Sequence, residues 1–249
     1  THQNASLVVG ADGIHSSVRR SLFGPDEPMF SGHVAWRAII SSESITSKTL
    51  ATRAALWWGP KKHVVHYPVR DGQDINVVCV DQAPHWTNES WTEHGDHKEL
   101  AAAFGDWHED IAQLIGRINP DLCFRWGLFN HAPLKQWSRG RVTLLGDACH
   151  PTLPYLAQGA AMAIEDGAAL GQCLKTYGSV EKGLEAYERI RQERTIRIQR
   201  ISRRNGRIFH LTGTSAWARN WAAQHMSQRI MRYVHDYDVF ASINRYLKA

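Results

Sequence analysis

The stretch GRVTLLGDACHP, from Gly140 to Pro151, constrains the fold more than any other part of the chain. Its four residues Val142 to Leu145 predict a short buried strand, and the glycine after them breaks the strand just before Asp147. A polar side chain at the carboxyl end of a core strand, followed by a helix, is typical of the edge where open α/β sheets bind ligands. There the Asp147 carboxylate could accept hydrogen bonds from a pair of polyol hydroxyls.

The segment after this strand predicts a long helix. Residues 157–174, AQGAAMAIEDGAALGQCL, are rich in alanine and contain no proline. Backbone N–H groups of Gln158, Gly159 and Ala160 would lie near its start, where unpaired donors and the helix dipole suit an electron-rich ring or an anionic oxygen. Gly159 would let the backbone approach a ligand closely, while two prolines stiffen the connecting loop.

Three other interpretations apply to the segment around Asp147. A Walker B strand would need a GxxxxGK[ST] loop, and none occurs in the sequence. Cys149 and His150 could form a nucleophile and its base, although sequence neighbours rarely point at each other. A purely structural role for Asp147, as the cap of the next helix, stays open.

The rest of the chain predicts a mixed α/β fold with an inserted antiparallel sheet. The N-terminal strand, at residues 7–9, leads through a Gly-Ala-Asp-Gly turn to a helix capped by Ser16 or Ser17. Short β-branched and aromatic runs separated by turns predict antiparallel strands between about residues 32 and 81. Further segments predict helix at 91–118, strand at 125–134, a helix from Val180 into an arginine-rich stretch, and a helix at 215–234.

Composition narrows the classes of function. The 249 residues carry a formal net charge of +5, and no apolar run reaches the roughly 18 residues of a membrane span. Four widely spaced cysteines without a CxxC pair predict free thiols in a reducing, cytoplasmic location, and no metal site. The arginine-rich stretch predicts an amphipathic helix with a solvated basic face, so neither a nucleic-acid nor a membrane partner is expected. Oligomeric state does not follow from the sequence.

Two motifs together make the sequence recognisable. LVVGADGIHSSVRRSLFG, residues 7–24, resembles the DG motif of the FAD-dependent aromatic hydroxylases, and GRVTLLGDACHPTLPYLAQGAAMAIED, residues 140–166, resembles their GD motif. The sequence of the second motif is most similar to that of the salicylate hydroxylase group. This resemblance implies hydroxylation of a phenolic aromatic acid with NADH or NADPH and O₂.

The resemblance also implies a role for several residues. Asp147 would bind hydroxyls of FAD, Gly146 would allow close approach, and Pro151 would pack near the reactive edge of the flavin ring. Asp12 and Gly13 would lie by the pyrophosphate and ribose, and Arg19 or Arg20 would contribute to NAD(P)H binding. Backbone N–H groups facing the flavin pyrimidine would come from Gln158, Gly159, Ala160 and Ala161.

The inserted sheet would cover the substrate. Candidate substrate contacts are Trp36, Arg37, Trp58, Pro154 and Tyr155, and candidate catalytic groups are His66, Tyr155 and Arg37. Trp36 and Trp58 are more typical of ordinary core residues. Arg37 lies in an otherwise apolar strand and needs a partner if it is buried, either a substrate carboxylate or an internal acid.

One feature of the family is missing from the sequence. No GxGxxG fingerprint occurs, so the resemblance implies an incomplete Rossmann-like FAD-binding core that lacks its first βαβ unit. The alternative function is therefore a non-catalytic or truncated fragment that cannot hold FAD alone. The expected segments are FAD-binding core at 1–31 and 135–178, substrate lobe with a helical segment at 32–134, and C-terminal helices at 179–249.

Overall fold

Two separate sheets and eight α-helices organise the chain in the computed structural model, which describes residues 4–86 and 93–248 and omits the side chains of 224–232 and 247–248. The strands are β1 (Val8–Gly10), β2 (Met29–Ser41), β3 (Ala55–Gly59), β4 (Lys62–Val69), β5 (Asp74–Gln82), β6 (Phe124–Asn130), β7 (Ser138–Arg139) and β8 (Val142–Leu144). The helices are α1 (Ser17–Phe23), α2 (Lys48–Thr52), α3 (His97–Ala103), α4 (Glu109–Gly116), α5 (Gly159–Tyr177), α6 (Val180–Phe209), α7 (Gly213–His235) and α8 (Val239–Lys248).

The smaller sheet pairs a strand of the N-terminal motif with a strand of the second motif. Its order is β1-β8-β7, with β1 parallel to β8 and Gly10 paired with Leu144. A Cβ on Gly10 would lie 2.7 Å from Val18 Cβ and 2.8 Å from Leu144 Cδ2, so α1 packs directly on the strand end. This close approach requires glycine where the strand meets its turn.

The larger sheet has five strands in the order β3-β4-β5-β2-β6. The β2–β5, β4–β5 and β3–β4 pairs are antiparallel, as the sequence predicted. One face, which includes Ala38, Val64 and Ile75, packs with Leu100 and Ile111 of α3 and α4 into a hydrophobic core. The structure therefore confirms the inserted antiparallel sheet and the mixed α/β fold class.

Most predicted helices are present, with differences at residues 91–118, at α8 and at α2, which was not predicted. The region predicted as one helix over 91–118 contains two helices, α3 and α4. Residues 91 and 92 of that region lie outside the described chain. Asp96 caps the start of α3, and His108 caps the start of α4. The residues between the two helices, including Gly105, interrupt the helical pattern. The C-terminal helix α8 was not predicted.

The chain divides into two compact units. Unit one comprises Thr1–Met29, Phe129–Gly206 and Ala222–Ala249, and unit two comprises Phe30–Leu128 and Arg207–Trp221. The four segments expected from the sequence stay a prediction. All four cysteines are free and buried. Within the described ranges, no helix combines the length and apolarity of a bilayer span.

Candidate functional site

An exposed carboxylate, that of Asp147, follows the end of β8 in unit one. Gly146 has a φ of +62°, and a Cβ there would lie 3.2 Å from Ala163 of α5, so the turn needs glycine on both counts. Asp147 follows in an exposed position, whereas Gly146 and Ala148 on either side are buried. The strand end therefore presents one acidic side chain and hides its neighbours.

The Asp147 carboxylate is poised to accept hydrogen bonds. Surrounding protein desolvates it in spite of its open side and raises its pKa, while the nearby His150 opposes this shift. Within the described part of the chain, no donor bonds this carboxylate. An exposed acidic group with unused acceptor capacity is the kind of group that binds the hydroxyls of a ligand.

The start of α5 supplies donors. Gln158 occupies the N-cap but makes no side-chain cap bond, and the first turn contains no acidic residue. The N–H groups of Gly159, Ala160 and Ala161 belong to the first turn, which has no intrahelical acceptors for them. Ala157, just before the helix, has a φ of +51°, a conformation that costs a non-glycine residue about 1–2 kcal/mol.

These two features fit the cofactor that the resemblance implies. A polyol chain needs a carboxylate such as that of Asp147, and an electron-rich ring edge needs the uncapped N–H groups at the start of α5. The absence of a side-chain cap at Gln158 leaves those donors for a ligand. The residues of this part of unit one therefore fit FAD.

The loop between Asp147 and α5 is held by α6. The carbonyl of Pro151 accepts a 2.9 Å hydrogen bond from Gln199 Nε2. Tyr155 is 6% exposed, and its ring packs so closely on Gly206 that a Cβ there would lie 2.6 Å from it. Burial raises the pKa of the Tyr155 phenol, and Pro154 beside it is exposed. The loop is thus anchored at several points.

The acidic residue of the N-terminal motif bonds the start of α1. Asp12 accepts hydrogen bonds from the Ser16 hydroxyl and, at 2.8 Å, from the Ser17 N–H, so its carboxylate caps α1. These bonds lower the pKa of Asp12 against the opposing effect of burial. Gly13, with a φ of +80°, forms the turn before the helix. The role of Asp12 and Gly13 toward the pyrophosphate and ribose remains a prediction.

Arg19 corrects an expectation. Its side chain is 3% exposed, bonds Asp26, and donates to the carbonyls of Ala148 and Cys149 at 3.4 and 3.3 Å. A guanidinium with all its partners inside the protein is not available to NAD(P)H, so the expectation for Arg19 is wrong. Arg20 remains exposed.

The five-stranded sheet in unit two separates the predicted substrate residues. Successive residues of a strand point to opposite faces. Trp36 and His66 lie on the face that packs against α3 and α4, and they are 2% and 1% exposed. Arg37 and Trp58 lie on the other face. The structure contradicts the expectation that all four line one pocket.

His66 is therefore not a candidate base. Burial lowers its pKa, with Asp110 acting in the opposite direction, and both of its ring nitrogens lack hydrogen-bond partners within the described chain. No group of three or more histidine, cysteine, aspartate or glutamate side chains in the described residues is arranged to hold a metal ion.

Arg37 lies on the sheet face opposite to α3 and α4, where Phe209 stacks on Trp58 with ring centroids 5.2 Å apart. Its Nε donates to Asn76 Oδ1 at 2.8 Å, and its side chain is exposed. The same face carries Ile39, Leu56 and Tyr67, which are 41%, 40% and 37% exposed. The face thus combines apolar surface with one cation.

Sequence reasoning missed a buried ionic cluster behind the Gly146 turn. Asp166 and Arg191 are both completely buried, with Arg191 Nε 2.7 Å from Asp166 Oδ1. Arg194, also buried, lies 3.2 Å from Glu165. The expectation of a solvated arginine face is wrong for these two arginines. Their spacing from Tyr187 and Ile198 was a usable signal, because it places them on the buried stripe of α6.

Comparison with known sequences identifies a family and several relatives. The pattern that defines the FAD binding domain family matches residues 2–202. The chain is 40% identical over 213 residues to 3-amino-4-hydroxybenzoate 2-monooxygenase PtnB3 of Streptomyces platensis, covering 85% of this chain and 53% of the relative. It is 40% identical over 215 residues to 3-hydroxybenzoate 6-hydroxylase 2 of Aquipseudomonas alcaligenes, covering 86% and 66%.

A third relative extends the range of named substrates. The chain is 39% identical over 210 residues to 6-hydroxynicotinate 3-monooxygenase of Pseudomonas fluorescens, covering 82% of this chain and 54% of the relative. The chain thus spans between about half and two thirds of the length of these curated relatives.

Solved structures share the fold. A salicylate hydroxylase substrate complex superposes with a TM-score of 0.86 at 24% identity, covering all of this chain and 66% of that one. The Klebsiella pneumoniae R204Q HpxO complexed with FAD superposes with a TM-score of 0.79 at 26% identity, covering 95% of this chain and 61% of that one.

Proposed function

Because this chain belongs to the family of FAD-dependent aromatic hydroxylases, we propose that it acts in a flavin-dependent monooxygenase that hydroxylates a phenolic aromatic acid. The observation that carries the proposal is the exposed Asp147 at the end of β8 together with the uncapped first turn of α5. The names of the relatives support the substrate class, since they specify hydroxybenzoates and a hydroxynicotinate. We include NADH or NADPH and O₂ as co-substrates.

Unit one would hold the cofactor. Bound FAD would supply the redox chemistry, in which two electrons come from NADH or NADPH, one oxygen atom of O₂ goes to the aromatic ring and the other is released as water. Asp147 would accept hydrogen bonds from FAD hydroxyls, and Gly146 would let the backbone come close. Pro151, fixed by Gln199, would pack beside the ring. The first turn of α5, Gln158 to Ala161, would stabilise negative charge on the part of the ring that it faces.

Unit two would supply a substrate-binding face. The Arg37 guanidinium is oriented by Asn76, and no carboxylate of the described chain pairs with it. It could therefore bind the carboxylate of an aromatic acid in bidentate fashion. Trp58 on the same face of the sheet would contact the aromatic ring. Trp36 and His66 are left out of the proposal because they lie in the core on the opposite face.

Pro154 and Tyr155 in unit one stay in the proposal as substrate contacts. Burial raises the pKa of the Tyr155 phenol, and the phenol O–H could donate a hydrogen bond to an anionic oxygen. Such a donor would stabilise a phenolate oxygen through a hydrogen bond and would not act as a base. We also propose a cytoplasmic location, which the four free and buried thiols support.

A second candidate is a chain that has this fold but does not hold FAD alone. The sequence feature that favours it is the lack of a GxGxxG fingerprint in the 249 residues. The two candidates differ in one measurable property, which is the affinity of the chain for FAD.

The test compares wild type with Asp147→Asn and with Asp71→Asn, a control in an exposed turn where asparagine suits the positive φ of 56°. Each protein is titrated with FAD, and NADH and NADPH oxidation is measured with salicylate, 3-hydroxybenzoate and 6-hydroxynicotinate. The proposal predicts flavin binding and substrate-stimulated oxidation in wild type and D71N, with FAD affinity about tenfold weaker in D147N. Equal FAD affinity in D147N and wild type would refute it, and no binding by wild type would favour the second candidate.

A further inference from the structure

The turn that carries Asp147 is fixed through both polar groups of its glycine. The carbonyl of Gly146 accepts hydrogen bonds from the N–H groups of Cys149 and His150, at 2.9 and 2.8 Å. Its N–H donates a 3.1 Å bond to Asp166 Oδ2 of α5. Asp166 therefore holds the start of the turn, while Arg19 separately donates to the carbonyls of Ala148 and Cys149.

Asp166 binds the turn a second time through His150. His150 Nε2 lies 2.6 Å from the same Oδ2 atom, and the imidazole is 2% exposed. Its ring also contacts the buried ring of Trp137, with centroids 5.3 Å apart. The two ends of the Gly146–His150 segment are thus tied to a single carboxylate oxygen.

The other oxygen of Asp166 is held by a buried arginine. Arg191 Nε donates to Oδ1 at 2.7 Å, and the same guanidinium bonds Tyr237 Oη at 2.9 Å and Glu165 Oε2 at 2.6 Å. Burial alone would raise the pKa of Asp166, but the bonds from His150 and Arg191 outweigh it and lower the pKa. The carboxylate therefore stays ionised and fixed on both sides.

We propose that Asp166 is a positioning residue of the flavin site, whose carboxylate holds the Gly146 turn against α5 and keeps Asp147 directed outward. A buried ion pair is costly compared with apolar packing of the same volume, so its presence directly behind an exposed carboxylate calls for a role besides stability. The inference rests on the proposed function for the identity of the ligand. The holding of the turn can be measured without any ligand.

Asp166→Asn tests the role because an amide cannot replace the carboxylate here. Donors face both oxygens, namely Gly146 N–H and His150 on one and Arg191 on the other. Whichever way the amide is flipped, its NH₂ group meets the N–H of Gly146 or of Arg191. Asp166→Glu, which keeps the charge and displaces the carboxylate, serves as a second variant if D166N does not fold.

Glu165→Gln is the matched control. Glu165 bonds the same Arg191 and also Arg194, but it has no bond to the turn. A loss of stability common to both variants would report the ionic cluster, and an effect confined to the Asp166 variants would report the turn.

The first readout is amide hydrogen exchange by NMR in the absence of flavin. The Gly146 amide is compared with that of Leu145, which bonds Gly10 O at 2.9 Å and so serves as an internal reference. We expect the ratio of the Gly146 rate to the Leu145 rate to rise by about tenfold in D166N and to stay unchanged in E165Q. An unchanged ratio in D166N, or an equal rise in E165Q, would overturn the inference.

The second readout is the dissociation constant for FAD. About tenfold weaker binding by D166N, with E165Q equal to wild type, supports a positioning role. Faster exchange at Gly146 with unchanged FAD affinity would overturn that role, because the turn would then be held without consequence for the ligand. If wild type itself does not bind FAD, the proposed function fails, and the exchange ratio separately decides whether Asp166 holds the turn.

Discussion

Lowering the pH from about 6.5 to about 5.5 should destabilise unit two through a chain of buried histidines. His63 Nδ1 lies 2.8 Å from His210 Nε2, and His210 Nδ1 lies 3.0 Å from His33 Nε2. Burial, reinforced by the neighbouring histidines, lowers the pKa of His63 to about 3. Burial, together with His33 and Arg219, lowers the pKa of His210 to about 4. His33 shifts the same way through burial, although Asp81 and a backbone bond at Ser31 oppose the shift.

The sign follows from which state binds the protons. Above about pH 6.5 these histidines are neutral in the folded and the unfolded chain, so they contribute no pH dependence. Below about pH 6.5 the unfolded chain binds protons that the folded chain does not bind. The free energy of unfolding therefore falls until the pH reaches the pKa values of the folded state. Integrating the proton difference for one histidine from pH 6.5 to 5.5 gives about 1 kcal/mol, hence about 2 kcal/mol for His63 and His210 together.

Urea unfolding followed by tryptophan fluorescence at matched ionic strength measures this loss. His63→Gln keeps a polar side chain for His210 and removes one titrating group, so it should remove about 1 kcal/mol of the pH-dependent loss. His85→Gln, at an exposed position of the same unit, is the control and should leave the loss unchanged. The reasoning is refuted if H63Q retains the whole pH dependence of the wild type.

Three further predictions concern packing and the site. Gly10→Ala places a Cβ 2.7 Å from Val18 and should lower the free energy of unfolding, measured with urea, by about 1–3 kcal/mol. The control is Gly167→Ala on α5, where a Cβ meets nothing within 4 Å. It should leave the free energy of unfolding unchanged or raise it by up to about 1 kcal/mol. Gly206→Ala places a methyl group against the Tyr155 ring and should lower the free energy of unfolding by about 1–3 kcal/mol. Tyrosine absorbance should change because the ring has to move, and unchanged absorbance would contradict the prediction. Asp147→Asn should leave the unfolding free energy unchanged or slightly raised, because a carboxylate with a burial-raised pKa contributes no stability; a large loss by calorimetry would contradict this.

The part of the site that lies close together in sequence could be predicted from it. The apolar run ending at Leu144, the glycine break and the alanine-rich helix are local signals, and each forms where the sequence indicates. Asp147 consequently appears at the strand end as expected. The helix α8 also had a local signal, because the Asp238 side chain accepts a hydrogen bond from the N–H of Ala241 at its start.

Side-chain roles that depend on distant partners could not be predicted. Strand alternation places Trp36 and Arg37 on opposite faces, but only the packing of α3 and α4 decides which face is buried. Arg191 is buried because Asp166, on another helix, neutralises it, and no local pattern in the arginine-rich stretch specifies that partner. The hydrogen bonds from Ser16 and Ser17 to Asp12 likewise form only once α1 begins there.

Hydrogen exchange of the chain with and without FAD, read by mass spectrometry, tests the central claim most directly. At about 1 mM FAD, which detects binding as weak as about −4 kcal/mol, we predict slower exchange in peptides covering 144–151 and 157–163 and loss of this protection in D147N. Absence of protection in both segments, or protection confined to other parts of the chain, would contradict the assignment of this strand end and helix start as the flavin site.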